Sequence, residues 1–208
     1  MTLLICDDHQ IVRDGLRQIL QQLPEISNIE EAGNDSELIQ LFKRGIFDVV
    51  LLDISLPGVS GLEILQMIKS KWEKTNVLML SMRPQMQYAM RAHKLGASGY
   101  LTKDVSSEEL LKAIRIVAKG RKYISETLAD SMFDTLNDEK FQHRHDLLSI
   151  REFEIMIQLA CGVGLPVIGN KLSISSKTVS TYRARIMEKM ALNCNSDITK
   201  YCLEINLI

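Results

Sequence analysis

The sequence predicts a parallel α/β domain followed by a small all-helical one, and three observations carry the prediction. Over the first 120 or so residues, short apolar runs alternate with stretches of helical periodicity. The joints between those runs are too long for hairpins, so successive strands must lie parallel, with helices covering both faces of the sheet. From Leu147 onward apolar residues recur at helical spacing, and no strand pattern interrupts them.

The elements follow in order. Leu3–Cys6, Ile29–Gly33, Val49–Leu52, Val77–Leu80 and Gly99–Thr102 read as five strands. Leu16, Ile19, Leu20 and Leu23 give the apolar stripe of a helix after the first, Leu38, Leu41 and Phe42 after the second, and Leu62, Leu65 and Ile68 after the third. Tyr88–Leu95 and Leu110–Val117 supply the last two helices, and the pattern ends near Gly120. Residues 123–146 read as a short helix and an acidic linker, since Glu126, Asp130, Asp134, Asp138, Glu139 and Asp146 outnumber Lys140 and Arg144. Four helical segments close the chain, at Arg151–Cys161, Leu165–Leu172, Ser176–Met190 and Ser196–Ile205. The boundaries are therefore 1–122, 123–146 and 147–208.

Composition narrows the classes of function. The chain has 208 residues, 46% apolar and 25% charged, with a net charge of -1, so any surface that attracts nucleic acid must be local. Cys6, Cys161, Cys194 and Cys202 form no C-x-x-C pair, which argues against zinc and a disulfide framework and predicts small buried thiols in a reducing cytoplasm. No apolar run reaches the roughly 18 residues of a membrane span, and Asp7 and Asp8 interrupt the N-terminal one, so neither span nor secretion signal is expected.

Asp7, Asp8, Asp53 and Lys103 each stand where a predicted strand ends, and in an open parallel sheet such groups converge in the crevice beyond the carboxyl ends of the strands. Three carboxylates are hard oxygen donors suited to Mg2+, and an ammonium supplies a compact fixed charge. Together they suit a phosphoryl group, whose negative charge must be neutralised before a carboxylate can accept it. Asp53, ending the buried run from Val49, is the natural acceptor, and the hydroxyl of Ser81 stands ready to meet a phosphoryl oxygen. A phosphohydrolase that forms an aspartyl phosphate needs an acid two residues after its nucleophile, but this chain has Ser55 there. A dinucleotide site needs a glycine-rich turn after the first strand, and Asp7-Asp8-His9 stands in its place.

Cys6-Asp7-Asp8-His9, Leu52-Asp53-Ile54-Ser55-Leu56-Pro57-Gly58, Ser81 and Gly99-Tyr100-Leu101-Thr102-Lys103 resemble, in order and spacing, the receiver domain of two-component response regulators. The resemblance implies a flavodoxin-like domain in which a sensor histidine kinase phosphorylates Asp53. Asp7, Asp8, Asp53 and the backbone carbonyl of Ser55 would hold Mg2+, and Lys103 would bridge to the phosphoryl group. It further implies that Ser81 and Tyr100 are a switch pair, Ser81 moving toward the phosphoryl group and Tyr100 turning inward behind it. Arg83 and Pro84 depart from the small or polar residues unremarkable in that loop. Pro57 and Gly58 suit the turn after the acceptor, and Gly61 reads as easing the start of the next helix.

In the helical tail, Leu165–Leu172, a tight turn, and Ser176–Met190 read as helix, turn, helix, with Ser175 capping the second helix. Val179, Tyr182 or Arg183, Ile186 and Met190 form its buried stripe, leaving Lys177, Ser180, Thr181, Ala184 and Arg185 toward solvent. Such a small, polar, basic face fits a major groove, and equally the solvated face of a protein-binding module. Leu148-Ser149-x-Arg151-Glu152-x-Glu154-Ile155, Ile174-Ser175-x-x-Thr178-Val179 and Ile186-x-x-Lys189-Met190 resemble the LuxR-type helix-turn-helix domain, and with the receiver they resemble the NarL/FixJ family of transcriptional regulators. By that resemblance Lys177, Thr178, Arg183, Arg185 and Lys189 contact phosphates of promoter DNA, while Ser180, Thr181 and Ala184 face bases. Residues 149–208 carry seven basic side chains (151, 171, 177, 183, 185, 189, 200) against five acidic (152, 154, 188, 197, 204), a net of +2, so a homodimer on a two-fold site is expected. Gly169 inside the first of the two helices reads as a cost of about 1 kcal/mol relative to alanine. His143 and His145 make an H-x-H pair without a third ligand nearby and read as solvated, and His9 as flanking the first helix.

Overall fold

The structure is a computed structural model and describes residues 1–82, 86–125, 143–205 and 207–208. The chain divides into two compact units, Met1–Asn137 and Asp138–Ile208. Among the described residues no helix is long and apolar enough to cross a membrane.

The first unit is a six-stranded parallel sheet: β1 (Thr2–Cys6), β2 (Asn28–Ala32), β3 (Val49–Asp53), β4 (Asn76–Ser81), β5 (Gly99–Thr102) and β6 (Tyr123–Ile124) lie in the order β2-β1-β3-β4-β5-β6. The first five follow the flavodoxin-like order. The sixth was not foreseen: two residues beyond Gly120 are too few to show a period, yet Gly99 and Tyr100 pair with Tyr123 and Ile124 and extend the sheet into the stretch read as linker. Residues 126–142, on which the linker helix was expected, lie outside the described residues. Five helices alternate with the strands: α1 (Gln10–Leu20), α2 (Asp35–Arg44), α3 (Gly61–Lys71), α4 (Met86–Lys94) and α5 (Ser107–Ala118).

Strand β3 is buried at all five positions, which is why it reads as an unbroken apolar run. Leu3, Ile5, Val49, Leu51, Leu78 and Leu80 join Leu20, Leu23 and the inner stripe of α5, Leu110, Ala113, Ile114 and Val117, in one core. Side chains alternate across a pleated strand, so Leu4, Val50, Leu52 and Met79 point to the opposite face, where they are equally buried. Helix starts are fixed by polar side chains: Asn34 accepts from the Glu37 amide at 2.9 Å, Ser106 from the Glu109 amide at 3.2 Å, and Ser60 and Glu63 form a reciprocal capping box.

Gly61 does more than ease the start of α3. A Cβ there would stand 2.1 Å from the carbonyl oxygen of Asp53 and 2.7 Å from Cα of Ile54, so only glycine lets the helix approach the end of β3.

The second unit contains a 3-10 turn (Arg144–Leu147), then α6 (Ile150–Ala160), α7 (Leu165–Lys171), α8 (Ser176–Met190) and α9 (Asn195–Glu204). Ser149 and Glu152 form a capping box on α6, and Ser175 accepts from the Thr178 amide at 3.0 Å on α8. Arg151 is buried and donates to the carbonyl of Leu172 at 2.8 Å, tying α6 to the end of α7. Gly169 corrects the sequence reading, because a Cβ would meet the Ile174 carbonyl oxygen at 2.7 Å. The missing Cβ that lowers the residue's helix propensity is what makes room for the tight turn that follows.

Two further expectations are corrected. His145 is not solvated: it has no exposed surface, and its Nδ1 lies 2.8 Å from the Tyr201 hydroxyl. Phe153 of α6 and Tyr201 of α9 enclose the ring together, and a contact with Tyr201, 56 residues away, is not visible in local sequence. Of the four free cysteines Cys6 and Cys202 are buried, whereas Cys161 and Cys194 are exposed because each ends or precedes a helix.

Candidate functional site

Strands β1, β3, β4 and β5 are neighbours in the sheet, so whatever follows their carboxyl ends is gathered at one edge. The chain runs from β1 outward to β2 and then returns to β3 on the other side of β1, which opens a crevice there. Asp7 follows β1, Asp53 ends β3, Ser81 ends β4 and Lys103 follows β5. Asp7 and Asp53 are each only 1% exposed. Between them the Lys103 ammonium lies 2.6 Å from Oδ2 of Asp7 and 3.0 Å from Oδ2 of Asp53. The main chain supports this, the Lys103 amide donating to the Ser81 carbonyl at 2.7 Å and the Ile54 amide to that of Leu80 at 3.0 Å.

Burying two carboxylates is unfavourable unless charge compensates. Desolvation raises the pKa of Asp53, with the Asp7 charge adding to the rise and Lys103 opposing it. Burial alone would lower that of Lys103, but its hydrogen bonds and charge contacts with Asp7 and Asp53 outweigh burial and leave it raised. Lys103 therefore stays an ammonium. Oδ1 of Asp53 is a buried acceptor with no hydrogen-bond donor on it among the described residues, and a cation suits such an oxygen. Asp7, Asp8 and His9 place ligand atoms within 4.8 Å of one another, and the two carboxylates there are hard oxygen donors that fit a divalent cation such as Mg2+.

The other predicted residues fall around this centre. Asp8 is partly exposed, and its Oδ1 lies 2.8 Å from Nδ1 of His9, which occupies the N-cap of α1 without capping it by its side chain. Ser55 is exposed, two residues beyond β3. Ser81 is buried, as is Tyr100, which lines a small cavity with Ala89, Ala92 and Tyr123. Arg83 and Pro84 lie outside the described residues. Sequence reasoning passed over Arg13, whose Nη1 donates to the Asp7 carbonyl oxygen at 2.6 Å. The signal available was a basic residue one turn into the helix that follows the acidic pair.

On α8, Val179, Ile186 and Met190 have no exposed surface, whereas Lys177, Thr178, Ser180, Thr181, Ala184 and Arg185 are exposed. The hydroxyl of Thr181 turns back to the Lys177 carbonyl at 3.1 Å, that of Thr178 lies 2.8 Å from Oγ of Ser175, and the Arg185 guanidinium sits 6.0 Å from the Tyr182 ring centre. Two of the residues predicted to meet DNA are engaged within the unit: Arg183 donates to Asn195 at 2.6 Å, and Lys189 reaches Oε2 of the buried Glu152 at 2.7 Å. Lys189 thereby ties the last turn of α8 to the first turn of α6.

That tie has a pH signature. Burial raises the pKa of Glu152, but hydrogen bonds from Lys189 and from Ser149, with the Lys189 charge, outweigh it and hold the carboxyl below its ordinary value. Its contribution is thus present above the unfolded pKa and lost as pH falls through the folded one. Glu152→Gln keeps the capping geometry and removes the charge. With Lys189 half in solvent, it is expected to cost about 1 kcal/mol at neutral pH and to flatten the loss of stability in acid. Denaturant unfolding of both proteins at several pH values checks this; parallel curves would exclude it.

Comparison with known proteins adds two family matches. Residues 3–115 match the model described as response regulator receiver domain, and residues 146–202 the one described as bacterial regulatory proteins, luxR family. The response regulator UvrY of Escherichia coli K12 is 31% identical over 208 residues, covering 100% of this chain and 95% of that protein. The nitrate/nitrite response regulator protein NarL of the same organism is 32% identical over 193 residues, covering 92% and 89%. Among solved structures, RcsB of Salmonella enterica serovar Typhimurium, bound to the promoter P1flhDC in the presence of the phosphomimetic BeF3-, is 25% identical with a TM-score of 0.63, covering 97% of each chain.

Proposed function

Because this chain belongs to the NarL/FixJ family of response regulators, with a receiver domain and a LuxR-type DNA-binding domain, we propose that phosphorylation of Asp53 controls its binding to promoter DNA and so regulates transcription. The observation that carries the reading is the buried carboxylate pair of Asp7 and Asp53 spanned by one ammonium, with an oxygen of the proposed acceptor left unpaired.

A sensor histidine kinase in the cytoplasm supplies the phosphoryl group, and Asp53 is its acceptor in a receiver spanning 1–122. Asp7, Asp8, Asp53 and the Ser55 carbonyl would hold Mg2+, which when bound would supply positive charge to neutralise the phosphoryl oxygens. Lys103 is fixed within reach of the acceptor and stabilises the added charge. Ser81 and Tyr100 pass the change to the surface as a shift between existing conformations. With Ser55 in place of a general acid, the site keeps its phosphoryl group as a signal and does not turn over an external phosphoester.

In the domain spanning 147–208, α8 enters the major groove. Ser180, Thr181 and Ala184 face bases, the alanine meeting at most a thymine methyl, and Lys177, Thr178 and Arg185 meet phosphates. Arg183 and Lys189 reach phosphates only by giving up Asn195 and Glu152. The small net charge of this domain calls for two copies on a two-fold site.

The test is selection of genomic DNA by the purified protein at several salt concentrations, with and without a beryllofluoride mimic, and with Asp53→Ala as control. Enrichment of a two-fold site with the mimic, lost in Asp53→Ala, is the expected result. Enrichment of nothing in either state would replace DNA by a protein target for the helical domain.

A further inference from the structure

Asp7 and Asp8 begin where the ladder between β1 and β2 ends, its last rung being the Asp7 amide to the Ala32 carbonyl at 3.1 Å. Beyond that rung, among the described residues, no sheet partner fixes the peptide from which the Asp8 side chain departs. Asp7's own carboxylate is held, Oδ2 by Lys103 and Oδ1 by the His9 amide at 3.0 Å. Among the described residues, Asp8 is paired with the ring of His9, a side chain 64% exposed. Arg13 supplies a restraint of its own, reaching back from α1 to the Asp7 carbonyl.

Arg13 is itself held from β2. Its Nε lies 3.3 Å from Oε2 of Glu31, while the other oxygen of that carboxylate takes Arg17 and the second Nη of Arg13 takes Gln10. With side chains 12% and 19% exposed, Arg13 and Glu31 form a partly buried pair, screened less than a surface one. The arrangement uses the guanidinium fork, one nitrogen anchored on Glu31 and another on the carbonyl that orients the acids. A lysine, with one point of charge, cannot hold both.

We infer that Arg13 is a positioning residue for the cation site, fixing the Asp7–Asp8 peptide so that both carboxylates face the crevice, and that Glu31 fixes Arg13. The inference rests on the reading of Asp7 and Asp8 as ligands of Mg2+. Groups that orient ligands from behind characteristically change metal affinity about 10–100-fold when removed.

The experiment titrates the full chain with Mg2+ by calorimetry and, separately, measures unfolding in metal-free buffer. Arg13→Ala and Arg13→Lys are expected to weaken Mg2+ about tenfold, Glu31→Gln to weaken it less, and Arg17→Ala, which leaves the Arg13 contact in place, to bind as wild type. Should Arg13→Ala not fold, Arg13→Lys carries the test. Uptake indifferent to Arg13, or weakened equally by Arg17→Ala and Arg13→Lys, would reduce Arg13 to an anchor of α1 and overturn the inference. No uptake by the wild-type chain would overturn the cation reading itself, and this inference with it.

Discussion

Asp53→Asn is expected to abolish phosphoryl transfer to this protein. The substitution keeps the volume and one oxygen of a side chain that is 1% exposed, so the fold should stand. What disappears is the anionic oxygen that attacks phosphorus, and an amide is a far weaker nucleophile. Asp7, which shares Lys103 with Asp53, does not substitute, because it is committed to Lys103 and the His9 amide. Incubation with a small phosphoryl donor and Mg2+, followed by intact-mass measurement, should show one phosphoryl group on the wild type and none on Asp53→Asn. A variant that still gains the group on another carboxylate would refute the assignment of the acceptor.

The second large effect is structural. Gly61→Ala should destabilise the first unit by about 3 kcal/mol or more, well beyond the usual effect of one added methyl. The three atoms nearest the new Cβ, in Asp53 and Ile54, belong to the main chain, which cannot rotate aside as a side chain would. Relief requires α3 to back away from β3, and Asp53 moves with it. Denaturant unfolding should therefore show a lower midpoint with an unchanged slope, together with slower phosphoryl uptake by the folded fraction. A midpoint within experimental error of wild type would refute the close approach.

Strands whose burial is complete were legible, because a run such as Val49–Asp53 has no other explanation at that length. So were the four tail helices, whose apolar period is long enough to read. The acidic centre was legible too, because strand ends are where the fold gathers side chains. Less legible was anything decided by distant packing. Gly169 looked like a concession of helix stability and Gly61 like an eased helix start, and the main-chain atoms lying opposite them explain both choices. His145 looked like a linker histidine until α9 closed over it, and Lys189 like a surface charge until the capping glutamate of another helix was found beneath it. Arg13 escaped notice because its partner is a backbone carbonyl, and no sequence pattern announces such a bond.

The bond between His145 and Tyr201 spans 56 residues and joins the first turn of the helical unit to its last helix. On a ribosome the chain emerges in order, and domains fold as units in that order. The sheet can be complete while the helical unit still lacks the piece that fastens its beginning. Helix α8 is made before α9, which packs on α6 and meets α8 through the bond from Arg183 to Asn195. Synthesis broken off before Tyr201 then leaves a finished first unit attached to an unfinished second one, so the ability to receive a signal is acquired earlier than the ability to deliver it.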